Sequence, residues 1–283
     1  MQTVSQNWKD NHESLLVSEG YVEVTLTLTD PDAYEDASAE DNGSIYISDT
    51  EQTVSEVDTE IEPYATLEPN LWVLDGSREI IPTVDFGECG FIGDELSDIN
   101  GNFQKLPTVT VNFSEVHSKV IQGVTITWGE AYGEYAKDFT VTVYNGDTVV
   151  ATQAITGNTD VKTIVYMDIV DYDRIVVVIS KWSSAYHRAR IGEILVGVEK
   201  VYSKSNLFKF SHTQEVDPIS ASLPKSEISF SIDNTDDQYN PNNADSLSKY
   251  LMERQEIKAR YGYKLDNKVE WIDSGTFYIS EWD

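Results

Sequence analysis

Apolar and polar residues alternate with a period of two through most of this 283-residue chain, and this alternation limits the fold more than any other feature. The segments LPTVTVNF, VIQGVTITW, DFTVTVYN and VKTIVYMDI follow one another between residues 106 and 169. Successive side chains of a β-strand point to opposite faces, so each segment predicts a strand with one buried face. Strands spaced this closely are typical of an antiparallel sandwich.

Local signals place further strands and turns. Asn145-Gly146-Asp147 separates two alternating segments and predicts a hairpin turn. The run RIVVVIS (174–180) is apolar almost throughout, as in a strand covered on both faces. Near the N-terminus, YVEVTLTLTD (21–30) predicts a strand, and IYIS (45–48) predicts a shorter one that pairs back with it.

After Tyr202 the pattern changes. Residues 206–234 predict two strands, and residues 256–282 predict two more. Between these pairs, apolar and long side chains recur at helical spacing and predict one short helix: Leu247, Tyr250, Leu251 and Arg254.

Charge excludes one class of partner. The formal net charge is -29, and residues 1–62 hold sixteen Asp and Glu against the single Lys9, a local charge of 1 - 16 = -15. Nucleic-acid binding depends on clustered Lys and Arg, so we expect no nucleic-acid partner, and anionic membranes are disfavoured for the same reason. The acidic stretch 49–63 predicts a linker or a mobile loop.

Processing signals are not evident in the sequence. The single cysteine, Cys89, excludes an internal disulfide, and we interpret it as a small buried residue. The first residues lack the basic and apolar regions of a signal peptide, and no run of about 18 apolar residues predicts a membrane span. We therefore expect synthesis in a host cytoplasm without a secretion signal.

Catalytic and metal-binding motifs are also missing from the sequence. It contains no G-x-S-x-G, H-E-x-x-H or P-loop motif, and His12, His117, His187 and His212 are far apart, so we expect neither an enzyme nor a transition-metal site. The glycines of 87–93 are interpreted as turn residues. The segment DNTDDQYNPNNAD (233–245) has Gln238 and Ala244 where an EF-hand has Gly and Glu, so it predicts a turn rich in Asx residues.

Residues 64–198 resemble the discoidin-like, galactose-binding fold that includes the family 32 carbohydrate-binding modules. The resemblance lies in three ordered segments: NLWVLDGS (70–77), LPTVTVNFSEVHSKVIQGVTITWG (106–129) and KWSSAYHRARIGEILVGV (181–198). It implies a jelly-roll sandwich that binds sugars in loops at one end. Some members of the family hold a structural Ca²⁺, and the matching positions here are Asp75 and Glu193. The first segment departs from the family by lacking the usual following Trp.

Two loops match the place where this fold binds sugars. The loop KWSSAYHRAR carries Trp182, Tyr186, His187 and Arg188, and we favour it because it concentrates aromatic and cationic groups between two strands. The loop WGEAYGEYAKD carries Trp128, Tyr132 and Tyr135. The alternative for each aromatic residue is packing on the rim of the sandwich. Arg190 has the alternative of pairing with an acidic neighbour.

The C-terminal third resembles a different family. DPISASLPKSEISFSIDNTDDQYNPNN, YLMERQEIKARYGYKL and VEWIDSGTFYISEWD are similar to segments of tail-tip and baseplate proteins, including β-barrel hub proteins, of phages and prophages of Gram-positive bacteria. The resemblance implies that residues 200–283 form a hub-like β domain, that 1–62 supplies strands to it, and that 63–199 is an inserted sandwich. It further implies a location in the virion tail, contacts with other tail proteins, and a homo-oligomer, expected to be a trimer from the resemblance to hubs.

Together these resemblances predict a tail component that contributes to host adsorption by binding cell-surface polysaccharide. A purely structural tail component with a non-binding sandwich stays open, as does a polysaccharide depolymerase, which would need two carboxylates in a cleft. A host surface adhesin would need an export signal, and none is seen.

Overall fold

The computed structural model describes residues 4–13, 19–43, 49–54, 66, 68–71, 75–76, 90–215, 225–243, 246–251, 255–265 and 268–282. The strand predicted at 45–48, Cys89, Ala244 and Arg254 lie outside these residues.

Within this part of the chain the secondary structure is predominantly β. The helices are α1 (Gln6–Glu13) and α2 (Pro31–Asp36), with short 3₁₀ helices at Thr50–Val54, Glu130–Tyr132 and Leu247–Tyr250. The strands are β1 (Gly20–Thr29), β2 (Ser38–Asp41), β3 (Phe91–Leu96), β4 (Thr108–His117), β5 (Ile121–Thr127), β6 (Ala136–Asn145), β7 (Thr148–Ile155), β8 (Lys162–Ile169), β9 (Tyr172–Trp182), β10 (Arg188–Ile191), β11 (Glu193–Leu195), β12 (Gly197–Tyr202), β13 (Leu207–Glu215), β14 (Lys225–Ile232), β15 (Glu256–Leu265) and β16 (Lys268–Tyr278).

The chain divides into two compact units. One unit comprises Met1–Leu28 together with Glu199–Asp283, and the other comprises Thr29–Val198. In sequence, the second unit therefore lies between the two parts of the first.

The unit Thr29–Val198 is the antiparallel sandwich that the alternation predicts. Its strands form a five-stranded sheet in the order β2-β4-β9-β6-β7, a three-stranded sheet β11-β5-β8 and a pair β10-β3. Asn145 pairs with Thr148 and Gly146 has a φ of 56°, which confirms the predicted hairpin turn. The fold class predicted from the sequence, all-β with a sandwich, is confirmed.

Side chains from the sheets meet in one apolar core. Ile175 and Val177 of β9 are fully buried with Val124 and Ile126 of β5, and each such side chain contributes about 1.5–3 kcal/mol to the free energy of folding. Val176 and Val178 between them are only half-buried and Ser180 is exposed, so RIVVVIS is covered fully on one face and only in part on the other, not on both faces as predicted.

The sandwich begins earlier in the chain than residue 63. Ser38–Asp41 pairs with β4 as an edge strand, and Val54 of the Thr50–Val54 helix is buried in the same core. The residues of 49–54 are therefore packed, although their acidic composition predicted a linker or a mobile loop. Few of these residues are apolar, but a short 3₁₀ turn packs against a core when only one of its faces is directed inward.

A partly buried polar contact fixes α2 to β4. The Asp36 carboxylate accepts hydrogen bonds from the Ser114 hydroxyl and backbone N–H, and it contacts His117 Nε2 at 3.0 Å. These donors, Ser114 first, lower the pKa of Asp36 to about 2. Asp36 therefore stays charged through nearly the whole acid range and holds the N-terminal part of the sandwich in place.

The other unit contains an open four-stranded sheet and a separate two-stranded ribbon. The sheet order is β12-β1-β15-β16, and among the described strands β13 pairs with β14 alone. No side chain of Leu207–Glu215 or Lys225–Ile232 is buried. The predicted short helix is the 3₁₀ turn Leu247–Tyr250, and side-chain caps such as Asn234 Oδ1 on the Tyr239 N–H confirm the predicted Asx-rich turn.

No helix in the described ranges is long and apolar enough to span a membrane.

The bulge in β5 supplies a test of the sandwich. Gly123 has a φ of 152°, and a Cβ there would lie 2.1 Å from the carbonyl oxygen of Val165 on the paired strand β8. We expect Gly123→Ala to lower the free energy of unfolding by about 2–4 kcal/mol, because a backbone atom cannot move aside without breaking the ladder. Urea unfolding measures this loss.

Gly146→Ala is the matched control. Gly146 also has a positive φ, but a Cβ there meets nothing within 4 Å. We expect a loss of about 1 kcal/mol from backbone strain alone. Equal losses in the two variants would contradict the close approach at Gly123.

Candidate functional site

Loops from separate parts of the sequence meet at one end of the sandwich, which we call the loop end: residues 68–71, 97–102, 129–135 and 183–187. The Ser97 N–H donates to the His187 carbonyl at 2.9 Å, and the Trp182 N–H donates to the Gly101 carbonyl at 2.8 Å. The Ser183 N–H donates to the Tyr135 carbonyl at 2.9 Å, and the Tyr135 N–H donates to the Ser183 hydroxyl at 3.1 Å. The loops are thus cross-linked to one another by backbone hydrogen bonds.

Asp98 organises the loop 97–102. Its carboxylate accepts the backbone N–H groups of Asn100 and Asn102, each at 2.8 Å. These bonds, that of Asn102 first, lower the pKa of Asp98. Gly101 completes the turn with a φ of 86°, where a Cβ would lie 2.4 Å from the Trp182 carbonyl oxygen.

The loop 129–135 folds back on itself and places the Glu134 carboxylate in the interior of the sandwich. The 3₁₀ turn Glu130–Tyr132 ends at Gly133, whose φ is 65°, and Gly129 then pairs with Glu134. Glu134 is consequently buried, although Gly133 before it is exposed and Tyr135 after it is only half-buried.

Four ionisable side chains form a buried charge network beneath the loop end: Glu68, Glu134, His187 and Arg190. Arg190, with 0% exposure, contacts a Glu68 oxygen through Nη2 and lies 3.4 Å from Glu134 Oε2 through Nη1. Burial raises the pKa of Glu68, but the Arg190 charge and the hydrogen bonds from Thr66 and Arg188 outweigh it and hold the pKa below its usual value. Paired in this way, buried charges are tolerated.

One alternative predicted for Arg190, an ion pair with an acidic residue, is confirmed. Glu68 and Glu134 themselves were not identified. They are two of 49 acidic residues, and nothing in their local sequence sets them apart.

Both predicted tryptophans lie inside the sandwich. Trp128 is 0% exposed and Trp182 is 1% exposed. Their rings meet edge to face at 6.3 Å, Trp128 Nε1 donates to Thr163, and Trp182 Nε1 donates to Glu134 at 2.9 Å. The core therefore accommodates Trp182, and neither ring presents a face to a ligand in this structure.

His187 and Arg188 also serve the frame of the loop end. His187 is buried, with Nδ1 against Glu134 and Nε2 against the Pro69 carbonyl. Arg188 is half-buried and donates to the carbonyls of Gly93 and Asp94.

The tyrosines differ from one another in exposure. Tyr186 is 46% exposed at the tip of its loop, where its backbone has a φ of 61°. Tyr132 is half-buried with the Arg190 guanidinium 4.7 Å from its ring centre, and Tyr135 packs against the core. Ile99, in the neighbouring loop, is 69% exposed. A ligand-binding role for any of these residues stays a prediction.

The calcium prediction also stays untested. Asp75 is exposed in the turn 75–76, and Glu193 is half-buried on β11. In the part of the chain that the structure describes, no group of three His, Cys, Asp or Glu side chains is arranged to hold a metal ion. Calcium ligands are often backbone carbonyls, which a sequence does not reveal.

No known protein family matches the sequence, and no curated protein matches it. Among solved structures, the chain is similar to the family 32 carbohydrate-binding module of C. perfringens NanJ in complex with galactose (12% identity, 62% of this chain and 99% of that chain, TM-score 0.37). It is also similar to the family 32 module of Streptococcus pneumoniae EndoD (11% identity, 56% and 93%, TM-score 0.37) and to the lectin domain of lectinolysin complexed with Lewis B antigen (13%, 58% and 94%, TM-score 0.34). Likenesses this distant do not establish a ligand for this chain.

Replacement of Arg190 tests the charge network. Arg190→Met keeps the length of the side chain but leaves Glu68 and Glu134 buried without their counter-charge. We expect the free energy of unfolding to fall by about 3–5 kcal/mol, as when one partner of a buried ion pair is removed. Denaturant unfolding at neutral pH measures the change.

Arg174→Met provides the comparison. Arg174 also lies over a tyrosine ring, 4.6 Å from the centre of Tyr144, but it is half-exposed on β9 and donates to the Gly146 carbonyl. We expect a loss of about 1 kcal/mol or less. A similar small loss for Arg190→Met would show that the network contributes little.

Proposed function

We propose that the sandwich Thr29–Val198 binds cell-surface glycans at the loop end, without catalysis, and that the whole chain is a tail-tip or baseplate component of a phage or prophage of Gram-positive bacteria. The observation that carries the first part is the ring of Tyr186, exposed at the tip of a loop whose backbone is fixed by hydrogen bonds on both sides.

The chemistry around Tyr186 suits a sugar. An aromatic face packs against the apolar face of a sugar ring, and nearby polar groups bind its hydroxyls. The neighbouring loop supplies the amide side chain of Asn100 and the apolar side chain of Ile99, both exposed. Because the frame is already formed, little conformational entropy is lost when a ligand binds.

A site this shallow binds weakly by itself, since much of the ligand stays hydrated. Repetition of the site in an oligomer raises the overall affinity through effective concentration. The proposed homo-trimer follows from the resemblance to tail hubs, and the β13-β14 ribbon offers a surface for association because none of its described side chains is buried.

The tail assignment rests on the sequence resemblance of residues 200–283. The arrangement of the strands supports it: β1 and β15 pair from Gly20 with Tyr263 to Leu26 with Ile257, although the whole sandwich separates them in sequence. In this proposal the chain is made in the host cytoplasm, joins the virion tail through other tail proteins, and carries the sandwich as an insertion. The net charge of -29 suits a surface that must not retain passing DNA.

The burial of paired carboxylates favours binding over hydrolysis. A depolymerase needs two carboxylates that face a substrate cleft. At the loop end, Glu68 and Glu134 are both buried and both contact Arg190. The alternative, a purely structural component, would bind no glycan.

Replacement of the exposed ring tests glycan binding. We expect Tyr186→Asn to weaken binding by about fivefold or more while the fold is kept, because Asn tolerates a positive φ and an aromatic stacking contact contributes about 1 kcal/mol or more. The measurement is retention and titration of the full chain on a panel of Gram-positive cell-wall polysaccharides, with galactose and Lewis b oligosaccharides included.

Tyr166→Thr is the control, since Tyr166 is 53% exposed on β8 and lies outside the loop end. It should bind as the wild type does. An equal loss of glycan binding in both variants would contradict the proposed site. If the wild-type chain binds no glycan of the panel, the site is also contradicted and a purely structural component is favoured.

Oligomerisation is tested separately by light scattering coupled to size exclusion. We expect a trimer that dissociates at least about tenfold more readily in Phe208→Ser, because Phe208 is 69% exposed on β13 and its burial by a neighbour would contribute about 1.5–3 kcal/mol. Val149→Ser, which changes an exposed residue of β7 in the sandwich, should leave the trimer intact. A wild-type monomer at all concentrations would contradict the oligomer.

A further inference from the structure

The imidazole of His187 is held between two acceptors. Its Nδ1 contacts the Glu134 carboxylate and its Nε2 contacts the Pro69 carbonyl oxygen. A carbonyl oxygen cannot donate a hydrogen bond, and an ionised carboxylate cannot either. Only the doubly protonated ring donates to both.

Charge balance leads to the same protonation state. The network contains two carboxylates, Glu68 and Glu134, and one guanidinium, Arg190. With a protonated His187, two negative charges meet two positive charges. With a neutral His187, one negative charge stays uncompensated in the interior, which is unfavourable at low dielectric.

The contact at Nε2 joins residues 68–71 to the sandwich. These residues form a turn in which the Leu71 N–H donates to the Glu68 carbonyl at 3.2 Å. Among the described residues they are also attached through the Glu68 carboxylate, which accepts the Arg188 N–H at 2.6 Å and contacts Arg190. In this part of the chain the turn is therefore held to the sandwich through a neutral carbonyl and a carboxylate.

We propose that His187 is a proton-dependent latch that holds the 68–71 turn against the loop end. When the ring loses a proton, the remaining N–H stays with the stronger acceptor, the Glu134 carboxylate at Nδ1, and Nε2 becomes a lone pair facing the Pro69 carbonyl oxygen. Two acceptors then oppose each other, and the turn opens more often.

The charged groups that face the latch set the direction of the response. They are Glu134 from the loop 129–135, Glu68 from the turn, and Arg188 and Arg190 from β10. A rise in pH opens the turn through His187. The pKa of Glu68 is lowered in the folded state, so its own contribution is present above its ordinary pKa and is lost only as the pH falls through the lowered value. The turn is thus closed between these two limits.

Nitrogen NMR of the histidine rings in the wild-type chain is the first test. From about pH 5 to about pH 9, a range that covers ordinary histidine titration, we expect His187 to pass from the doubly protonated form to the Nδ1–H tautomer. A ring that is neutral throughout this range, or that becomes the Nε2–H tautomer, would overturn the proposal. This measurement needs no variant.

Amide hydrogen exchange gives the second test. The Arg188 N–H reports on the turn because it donates to Glu68, and its protection factor should fall by about tenfold or more as the ring deprotonates, the size expected when a hydrogen bond to a charged group is lost. In His187→Gln the protection should be low already at acid pH and should no longer depend on this titration.

The second buried histidine of the sandwich provides the control. His117 contacts Asp36, whose carboxylate accepts the Ser114 N–H. His117→Gln should leave the Arg188 protection factor unchanged. If protection at Arg188 and Ser114 falls equally in the wild type as the pH rises, the whole unit is loosening and the latch is wrong.

The latch does not depend on the proposed function. Its readouts use the chain without a ligand, so a chain with a titrating latch that binds no glycan would leave the latch standing and refute the binding site. Glycan binding that depends on Tyr186, together with a turn insensitive to pH, would support the binding site and refute the latch.

Discussion

Arg190 carries a positive charge inside the sandwich, and the loop end is built around the two carboxylates that neutralise it. One comes from the turn 68–71 and the other from the loop 129–135, whereas Arg190 itself lies on β10. A charge removed from water is stabilised only when its partners are held in good geometry. The requirement couples these segments, because a displacement of any one of them leaves a charge unpaired.

This coupling divides the polar and aromatic residues of the loop end into two groups. Trp182 and His187 are bound to Glu134 and belong to the frame, as does Tyr132 through its contact with Arg190. Tyr186 stands outside the network and presents its ring to solvent. A rigid interior with an exposed ring at its edge is a suitable arrangement for recognising a ligand that keeps most of its hydration.

The proposed latch would also connect the loop end to solution conditions. Buried charge pairs are screened little by salt, whereas the latch depends on the proton held by His187. The strongly acidic surface of the chain, with 49 acidic residues against 20 basic ones, surrounds this interior with negative charge. The buried network therefore pairs cations with anions, whereas most of the excess negative charge lies outside it.

The sequence by itself determined the β class, the hairpin at Asn145-Gly146 and the Asx-rich turn, because alternation and turn residues act over a few neighbouring positions. It also offered the pairing of Arg190 with an acidic residue as one alternative, and the family resemblance pointed to two of the loops at one end of the sandwich. Only the tertiary structure decided which carboxylates pair with it, that Trp128 and Trp182 face inward, and that residues from Thr29 onward belong to the sandwich. These outcomes depend on contacts between residues far apart in sequence, from 35 positions for Trp128 with Thr163 to 56 for Arg190 with Glu134, and local patterns carry no information about such contacts.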